Sequence, residues 1–393
     1  MSTHQTCPSC GAQNMSIFYT AKDVPVNSCL LLPTQQQALE FPRGDVALGF
    51  CEECGFISNT AFDPAKVNYF SVYEDQQCFS PTFNTFAQNL AKHLIEKYNL
   101  RNKQILEIGC GKGDFLALLC ELGNNSGVGI DPAYVNGRTQ SKHLDNLTFI
   151  RDCYSEKYVD YQGDFVCCRH TLEHILNTAE FVSLVRRSIG NHLDTTVFFE
   201  VPDVIRVLDE LAFWDIYYEH CSYFSLGSLA RLFRKCKFEV TDIYKDFDDQ
   251  YLLIEAKPVK QTSEKVHALE ETVQQEEKHV KYFADHFDEK LSQWRNRLQQ
   301  TQAENKRVVV WGSGSKCVAF MTTVGVKDEI EYVVDINPYR HGKFIPGAGK
   351  KIMPPEFLKK YRPDLTIVMN QAYRNEIKQM LNEMNVETEI LTV

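Results

Sequence analysis

The stretch Ile105-Leu-Glu107-Ile-Gly109-Cys-Gly111-Lys-Gly113-Asp114 limits what this chain can fold into more than any other. An apolar run carrying one acid breaks into three glycines at alternate positions, and apolar residues at helical spacing follow. The pattern predicts a strand, a tight turn that needs glycine, and a helix. Strands near residues 105–108, 127–130, 147–151, 164–168 and 196–200 alternate with helices near 83–98, 115–122, 179–189 and 225–236. Two closing strands, antiparallel if they form a hairpin, fall near 238–244 and 251–256. The expected fold class is α/β, with a doubly wound, mainly parallel sheet. At 393 residues the chain is too long for one core, and a prior of roughly 150 residues per domain suggests two or three units.

A dinucleotide fingerprint would place its third glycine where Asp114 stands. The spacing therefore favours S-adenosylmethionine over NAD. Gly109, Gly111 and Gly113 let the backbone approach a ligand that lacks a pyrophosphate, and Glu107 at the strand end can receive that ligand's ammonium. Gly127-Val-Gly129-Ile-Asp131 ends the next strand in a carboxylate able to accept both ribose hydroxyls. Asp152, after the third strand, either approaches the adenine amino group or only solubilises its loop.

Cys7-Pro-Ser-Cys10-Gly and Cys51-Glu-Glu-Cys54-Gly offer four thiolates to one tetrahedral zinc ion. The segment up to about Asp63 is too short to bury a large core unaided, and a metal supplies the missing restraint. Four thiolates leave no open position for water, so the expected zinc is structural. The start, MSTHQTCPSC, lacks the basic-then-apolar pattern of an export signal, so the other ten of the fourteen cysteines are expected as reduced thiols in a soluble, cytoplasmic protein. No apolar run approaches the roughly 20 residues of a membrane span. The net charge of −10 argues against a broad electrostatic footprint for nucleic acid. Neither nucleic acid nor membrane is an expected partner.

Two further clusters carry chemistry. Cys167-Cys168-Arg169-His170-Thr-Leu-Glu173-His174 ends a buried strand, where ligands bind in open α/β sheets, and His170 and His174 would share one face of a helical turn. Trp214-Asp-Ile-Tyr217-Tyr218-Glu219-His220-Cys-Ser-Tyr223 sets two phenols, a carboxylate and an imidazole side by side. Removing a proton beside a carbonyl needs a base poised near neutral pH, a donor for the enolate and a group that orients the base, and this segment holds all three. The alternative is an aromatic core segment with a hydrogen-bonded histidine.

Residues 262–306 contain neither Pro nor Gly, and Val266, Leu269, Val273, Val280, Phe283, Phe287, Leu291, Trp294 and Leu298 fall at helical spacing. One helix or two follow, laying an apolar stripe on the same chain or, alternatively, forming a dimerising coiled coil. A second nucleotide-type unit is expected from a strand at 307–311, the turn Gly312-Ser-Gly314, a helix from about Lys316, and strands at 330–334 and 364–369. Its amides and Lys316 could hold a diphosphate, while Asp335 nearly completes an NAD fingerprint, so substrate phosphate, packing and a second cofactor all stay open.

Taken together, these motifs resemble the sugar C-methyltransferases that act on nucleotide-linked 4-ketosugars, including those of tetronitrose and mycarose biosynthesis. The resemblance covers the whole chain. It implies a zinc-binding N-terminal domain at 1–68, a central class I methyltransferase sheet at 69–260, a linking helix at 261–306 and a C-terminal Rossmann-like domain at 307–393. The run Asp335-Ile-Asn337-Pro338-Tyr-Arg340-His-Gly342 is similar to the family's Asp-x-Asn-Pro-x-Lys-x-Gly, with Arg340 where Lys is usual. By resemblance His220 is the base, Glu219 assists it, Tyr217 lies against the substrate, and His174 is an active-site histidine. Tyr218 takes the position of a family histidine and is a substrate contact, while His170, beside the cofactor, stands where a residue such as Asn is usual. Tyr73 resembles the tyrosine that closes over the sugar, with Tyr69 the competing candidate. The implied cofactors are S-adenosylmethionine and structural zinc, and the implied setting is deoxysugar and natural-product biosynthesis. The implied partner is the nucleotide-linked sugar, whose diphosphate would need a basic niche from Lys316, Arg340 and Lys343. The chain would act as a monomer or homodimer. Other readings are a methyltransferase of the same architecture with a non-sugar acceptor, or a zinc-ribbon binding protein.

Overall fold

Gly109, Gly111 and Gly113 have φ of +73°, +55° and +84°, the left-handed region in which side chains are strained. A Cβ on Gly113 would also stand 2.4 Å from the Phe149 ring. The glycine turn thus joins the strand Gln104–Ile108 to the helix Asp114–Gly123 as the spacing requires. The computed structural model describes residues 6–13, 15–69, 73–139, 141–142, 144–263 and 265–393.

That strand is the fifth of a seven-stranded sheet in the order Phe238–Asp246, Tyr251–Pro258, Thr196–Pro202, Phe165–Arg169, Gln104–Ile108, Ser126–Ile130 and Leu147–Ile150. The last five run parallel, and the first two form an antiparallel hairpin on the edge. The carboxyl ends of the parallel strands therefore gather Asp131, Asp152, His170 and His174 along one rim, where open α/β sheets bind ligands.

A second, antiparallel sheet consists of Ser16–Pro25, Arg43–Phe50, Ile57–Asn59 and the two-residue strand Ser222–Tyr223. Its last strand comes from the far end of the cluster around His220, with Tyr223 opposite Ile57 and Ser222 opposite Ser58. This N-terminal sheet is completed by residues well outside 1–68. Residues 216–221 thus run from the 3-10 turn Phe213–Asp215 into this sheet.

The C-terminal residues form a five-stranded, all-parallel sheet in the order Lys351–Met353, Tyr332–Val334, Val308–Trp311, Leu365–Val368 and Glu389–Thr392. The two edge strands and the helix Arg374–Glu383 were not expected from the sequence. Strands of three or four residues are too short to show a period.

The linking segment forms one helix, Val273–Ala303, begun by a capping box between Thr272 and Gln275. Val266 and Leu269, expected on its stripe, precede that cap and are 67% and 57% exposed. Of the remaining stripe, Val280, Phe283, Leu291, Trp294 and Leu298 are buried against the same chain, and Val273 and Phe287 partly so. Phe283 packs edge-on to Phe18 and Tyr19 of the N-terminal sheet, and Trp294 edge-on to Phe320 of the C-terminal unit. Among the described residues no helix is long and apolar enough to cross a membrane.

Near the N-terminus Cys7, Cys10, Cys51 and Cys54 converge. The Cys7 and Cys54 sulfurs are 3.7 Å apart, and those of Cys10 and Cys51 3.5 Å apart. A tetrahedron of thiolates about 2.3 Å from zinc has edges of about 3.8 Å, so the four residues fit that ion closely. The Cys10 N–H points at the Cys7 sulfur and the Ala12 N–H at the Cys10 sulfur, as amides do around thiolates that carry negative charge. Cys51→Ser is expected to lose one equivalent of zinc and several degrees of thermal stability, whereas Cys29→Ser keeps the metal. Elemental analysis and melting curves of the purified variants check both outcomes.

Candidate active site

The half of the rim nearest the glycine turn suits a nucleoside with an ammonium tail. Glu107 is buried beneath the turn, and its Oε2 has no hydrogen-bond partner among the described residues. Burial brings its carboxyl up to about 8, partly offset by the Arg169 guanidinium. A buried carboxyl oxygen left open in this way is matched by a cationic ligand group. Asp131 accepts the N–H of Gly111 at 2.8 Å and of Ala133 at 2.6 Å, which fixes its carboxylate at the rim. Above Gly111 the nearest atom to a would-be Cβ is an Asp75 oxygen at 3.8 Å, so the backbone there is open to a ligand. Asp152 is turned into its own loop, where it accepts from Lys157, from the Tyr158 hydroxyl at 2.6 Å and from the Cys153 N–H at 2.8 Å. With its acceptors occupied locally, the structure supports the loop reading of Asp152 over an adenine contact.

A strap formed by residues 73–78 crosses over this half-site, and its anchors were missed from sequence. Lys112, inside the glycine turn, donates to the Tyr73 carbonyl at 2.8 Å and lies 3.3 Å from Asp75. Gln76 donates to Asp114, and Arg138 pairs with Glu74. The alternating Lys and Asp of the turn carry no periodic signal that would have revealed these partners.

Tyr73 also reaches the other half of the rim. Its hydroxyl donates to the Glu219 carboxylate at 3.0 Å, which also receives the Ser28 N–H at 3.0 Å and the Asn27 side-chain amide at 3.2 Å. Glu219 is fully buried and faces these three donors, not the imidazole of His220. The expected contact between Glu219 and the base is thus corrected: the carboxylate points toward the N-terminal segment, because three donors compensate its burial there.

His220 sits against Tyr217, with ring centroids 4.1 Å apart, and edge-on to His174 at 4.7 Å. Burial, together with His174, His170 and Lys316, keeps the His220 pKa well below the ordinary histidine range, so its imidazole is neutral and carries a free electron pair. His174 Nδ1 lies 3.1 Å from the Glu219 carbonyl oxygen and 3.0 Å from the Tyr69 hydroxyl. Tyr69 and Tyr73 pack edge-on to each other, so both candidate tyrosines are present together.

Four other expected contacts are corrected. Tyr218 points away into the N-terminal core, stacked near Phe62 and accepting the Asp63 N–H at 2.9 Å. Residues 218–219 form a turn, and the two rings leave it toward different partners, Tyr217 to His220 and Tyr218 to Phe62. His170, at φ +49°, lies 2.6 Å from Glu200 and 3.6 Å from Glu173, with Arg169 paired to the same Glu200. It belongs to a buried charge cluster and not to the cofactor rim. Lys316 donates to Asp215 at 3.0 Å and Gln250 at 3.1 Å. Arg340 is buried and donates to Ser313 and to the Glu74 carbonyl. Both cations hold the chain's own elements together and are not free for a diphosphate. Lys343 is half-buried and forms no ion pair among the described residues.

Residues 82–243 match the methyltransferase domain family, and residues 251–391 match the C-methyltransferase C-terminal domain family. The C-methyltransferase NovU of Streptomyces niveus is 26% identical over 293 residues, 70% of this chain and 67% of that protein. Solved structures with some likeness include the N,N-8-amino-8-demethyl-D-riboflavin dimethyltransferase RosA of Streptomyces davawensis, at 16% identity and TM-score 0.35, covering 45% of this chain and 56% of that one. Another is the 1,6-didemethyltoxoflavin-N1-methyltransferase of Burkholderia thailandensis, bound to S-adenosylhomocysteine, at 14% identity and TM-score 0.32, covering 44% of this chain and 79% of that one.

The charge cluster gives a pH signature. Burial alone would lower the His170 pKa, but Glu200 and Glu173 outweigh it and bring it up to about 9. The folded protein thus keeps a proton that the unfolded chain releases near 6.5, and the stability gained is complete below about pH 6.5 and fades as pH rises through about 9. Melting temperatures measured from pH 6 to 10 are expected to fall more steeply for the wild type than for His170→Gln. Parallel curves for the two proteins would remove the imidazolium from the cluster.

Proposed function

For this chain, which belongs to the S-adenosylmethionine-dependent C-methyltransferases, we propose that the acceptor is a nucleotide-linked 4-ketosugar methylated on the carbon beside its ketone. The observation that carries the reading is Tyr73. Its carbonyl is tied to Lys112 of the nucleoside turn and its hydroxyl to Glu219 of the base segment, so one residue links the methyl-donor side to the proton-abstracting side.

Bound S-adenosylmethionine supplies an activated methyl group on a sulfonium. Glu107 would receive its ammonium and Asp131 its ribose hydroxyls, with the strap residues closing over it. The chain's own work is then to make a carbon nucleophile and align it. His220, neutral and buried, takes the proton from the carbon next to the ketone. Tyr217 against its face donates to the oxygen that becomes an enolate. Tyr69 and Tyr73 hold the sugar from the strap side, and His174, anchored through Nδ1, fixes the far wall. The ring of Tyr217 shields His220 from water, which preserves the base for carbon. The four thiolates near the N-terminus lie outside this chemistry. Of the three basic candidates for the diphosphate, Lys343 is the one whose ammonium has no partner among the described residues.

Incubation with methyl-labelled S-adenosylmethionine and a panel of nucleotide-linked 4-ketosugars is expected to give one product heavier by one methyl group. His220→Asn should lower turnover by roughly a hundredfold or more while cofactor binding persists, the usual scale for a lost general base. Labelled product from none of the panel would shift the acceptor to a non-sugar metabolite. Full turnover by the variant would move the base to another residue.

A further inference from the structure

The two imidazoles beside the proposed base position have a third neighbour that proton abstraction does not need. Glu173, one residue before His174, is 2% exposed, and its Oε2 has no hydrogen-bond partner among the described residues. The other oxygen, Oε1, faces the His170 imidazole at 3.6 Å, so Oε2 is the acceptor left open, and a buried oxygen without a donor suits a further positive group. One ligating atom each from Glu173, His174 and His220 lie within 4.8 Å of one another.

His174 Nδ1 is taken up by the Glu219 carbonyl oxygen at 3.1 Å and the Tyr69 hydroxyl at 3.0 Å, which leaves Nε2 as the ring nitrogen for a ligand. Fixing a ring through a carbonyl on its far nitrogen is how metal-binding histidines are oriented. His220 brings a second imidazole nitrogen to the same cluster. We propose that Glu173, His174 and His220 form a binding site for a divalent transition-metal ion, separate from the four-cysteine cluster. Two imidazoles and one carboxylate suit a borderline ion such as zinc or cobalt, and three ligands leave at least one further coordination position. An ion holding its ligands at about 2.1 Å draws neighbouring donors to about 3.4 Å apart, so ring rotations on the order of 1 Å would close the site.

The consequence is competition. The lone pair that His220 would use on a carbon acid is the one the ion engages, so an occupied site cannot abstract the proton. The inference is independent of whether the acceptor is a sugar, and its failure would leave the methyl-transfer reading intact.

Full-length protein with its four cysteines saturated by zinc is titrated with cobalt(II) and followed by visible absorption. One further equivalent is expected, with d–d bands and no thiolate charge-transfer band, because the donors are nitrogen and oxygen. Glu173→Gln and His174→Gln should each weaken that binding at least tenfold, and both should retain one zinc per chain as a check that the fold persists. If Glu173→Gln fails that check, His174→Gln alone decides. Absence of cobalt bands up to millimolar cobalt, bands of thiolate type, or bands unchanged in a folded variant would each overturn the site.

Discussion

The buried carboxylate of Glu219 is the interaction on which the site depends. A charge with no exposed surface is tolerable only when donors surround it, and here the donors come from the Ser28 amide, the Asn27 side chain and the Tyr73 hydroxyl. These lie in the N-terminal segment and the strap, far from Glu219 in sequence. Withdrawing either group would leave the carboxylate short of partners, so the N-terminal segment and the strap are bound to the base segment together. The N-terminal sheet also takes Ser222 and Tyr223 as its fourth strand, so the residues just after His220 are held by that sheet as well.

The two glycine turns of the chain have opposite fates. Around the first, Gly111 is open and Glu107 has an oxygen with no donor among the described residues. Around the second, Asp335 accepts from the Ser313 N–H and hydroxyl and from the Asn337 N–H. Asn337 and Arg340 then reach across to Glu74 in the strap. The second nucleotide-type unit therefore uses its acid and its arginine to grip the strap that covers the first. Conserving the shape of a nucleotide fold while turning its polar groups inward makes it a clamp for its neighbour.

The local elements were readable from residue order alone, because glycine spacing, apolar periodicity and paired Cys-x-x-Cys act over a few residues. The parallel sheet, the helix after the glycine turn and the convergence of Cys7, Cys10, Cys51 and Cys54 follow from such signals. Side-chain direction did not. Tyr218 and Tyr217 are adjacent and chemically alike, yet only their pairing with Phe62 or His220 decides which one faces the site. Lys316, Arg340 and His170 looked free because their partners Asp215, Glu74 and Glu200 are remote in sequence. Isolated charges in a sequence say little about which carboxylate will claim them.

The chemistry assigned to this rim rests on a neutral buried imidazole removing a proton from carbon, and that step can be isolated from methyl transfer. With S-adenosylhomocysteine in place of the methyl donor and an accepted nucleotide-linked 4-ketosugar in deuterated water, the hydrogen on the reacting carbon is followed by proton magnetic resonance. Exchange of that hydrogen by the wild type, and its loss in His220→Asn, is the predicted result. No exchange by the wild type, or exchange at the same rate in the variant, would contradict it.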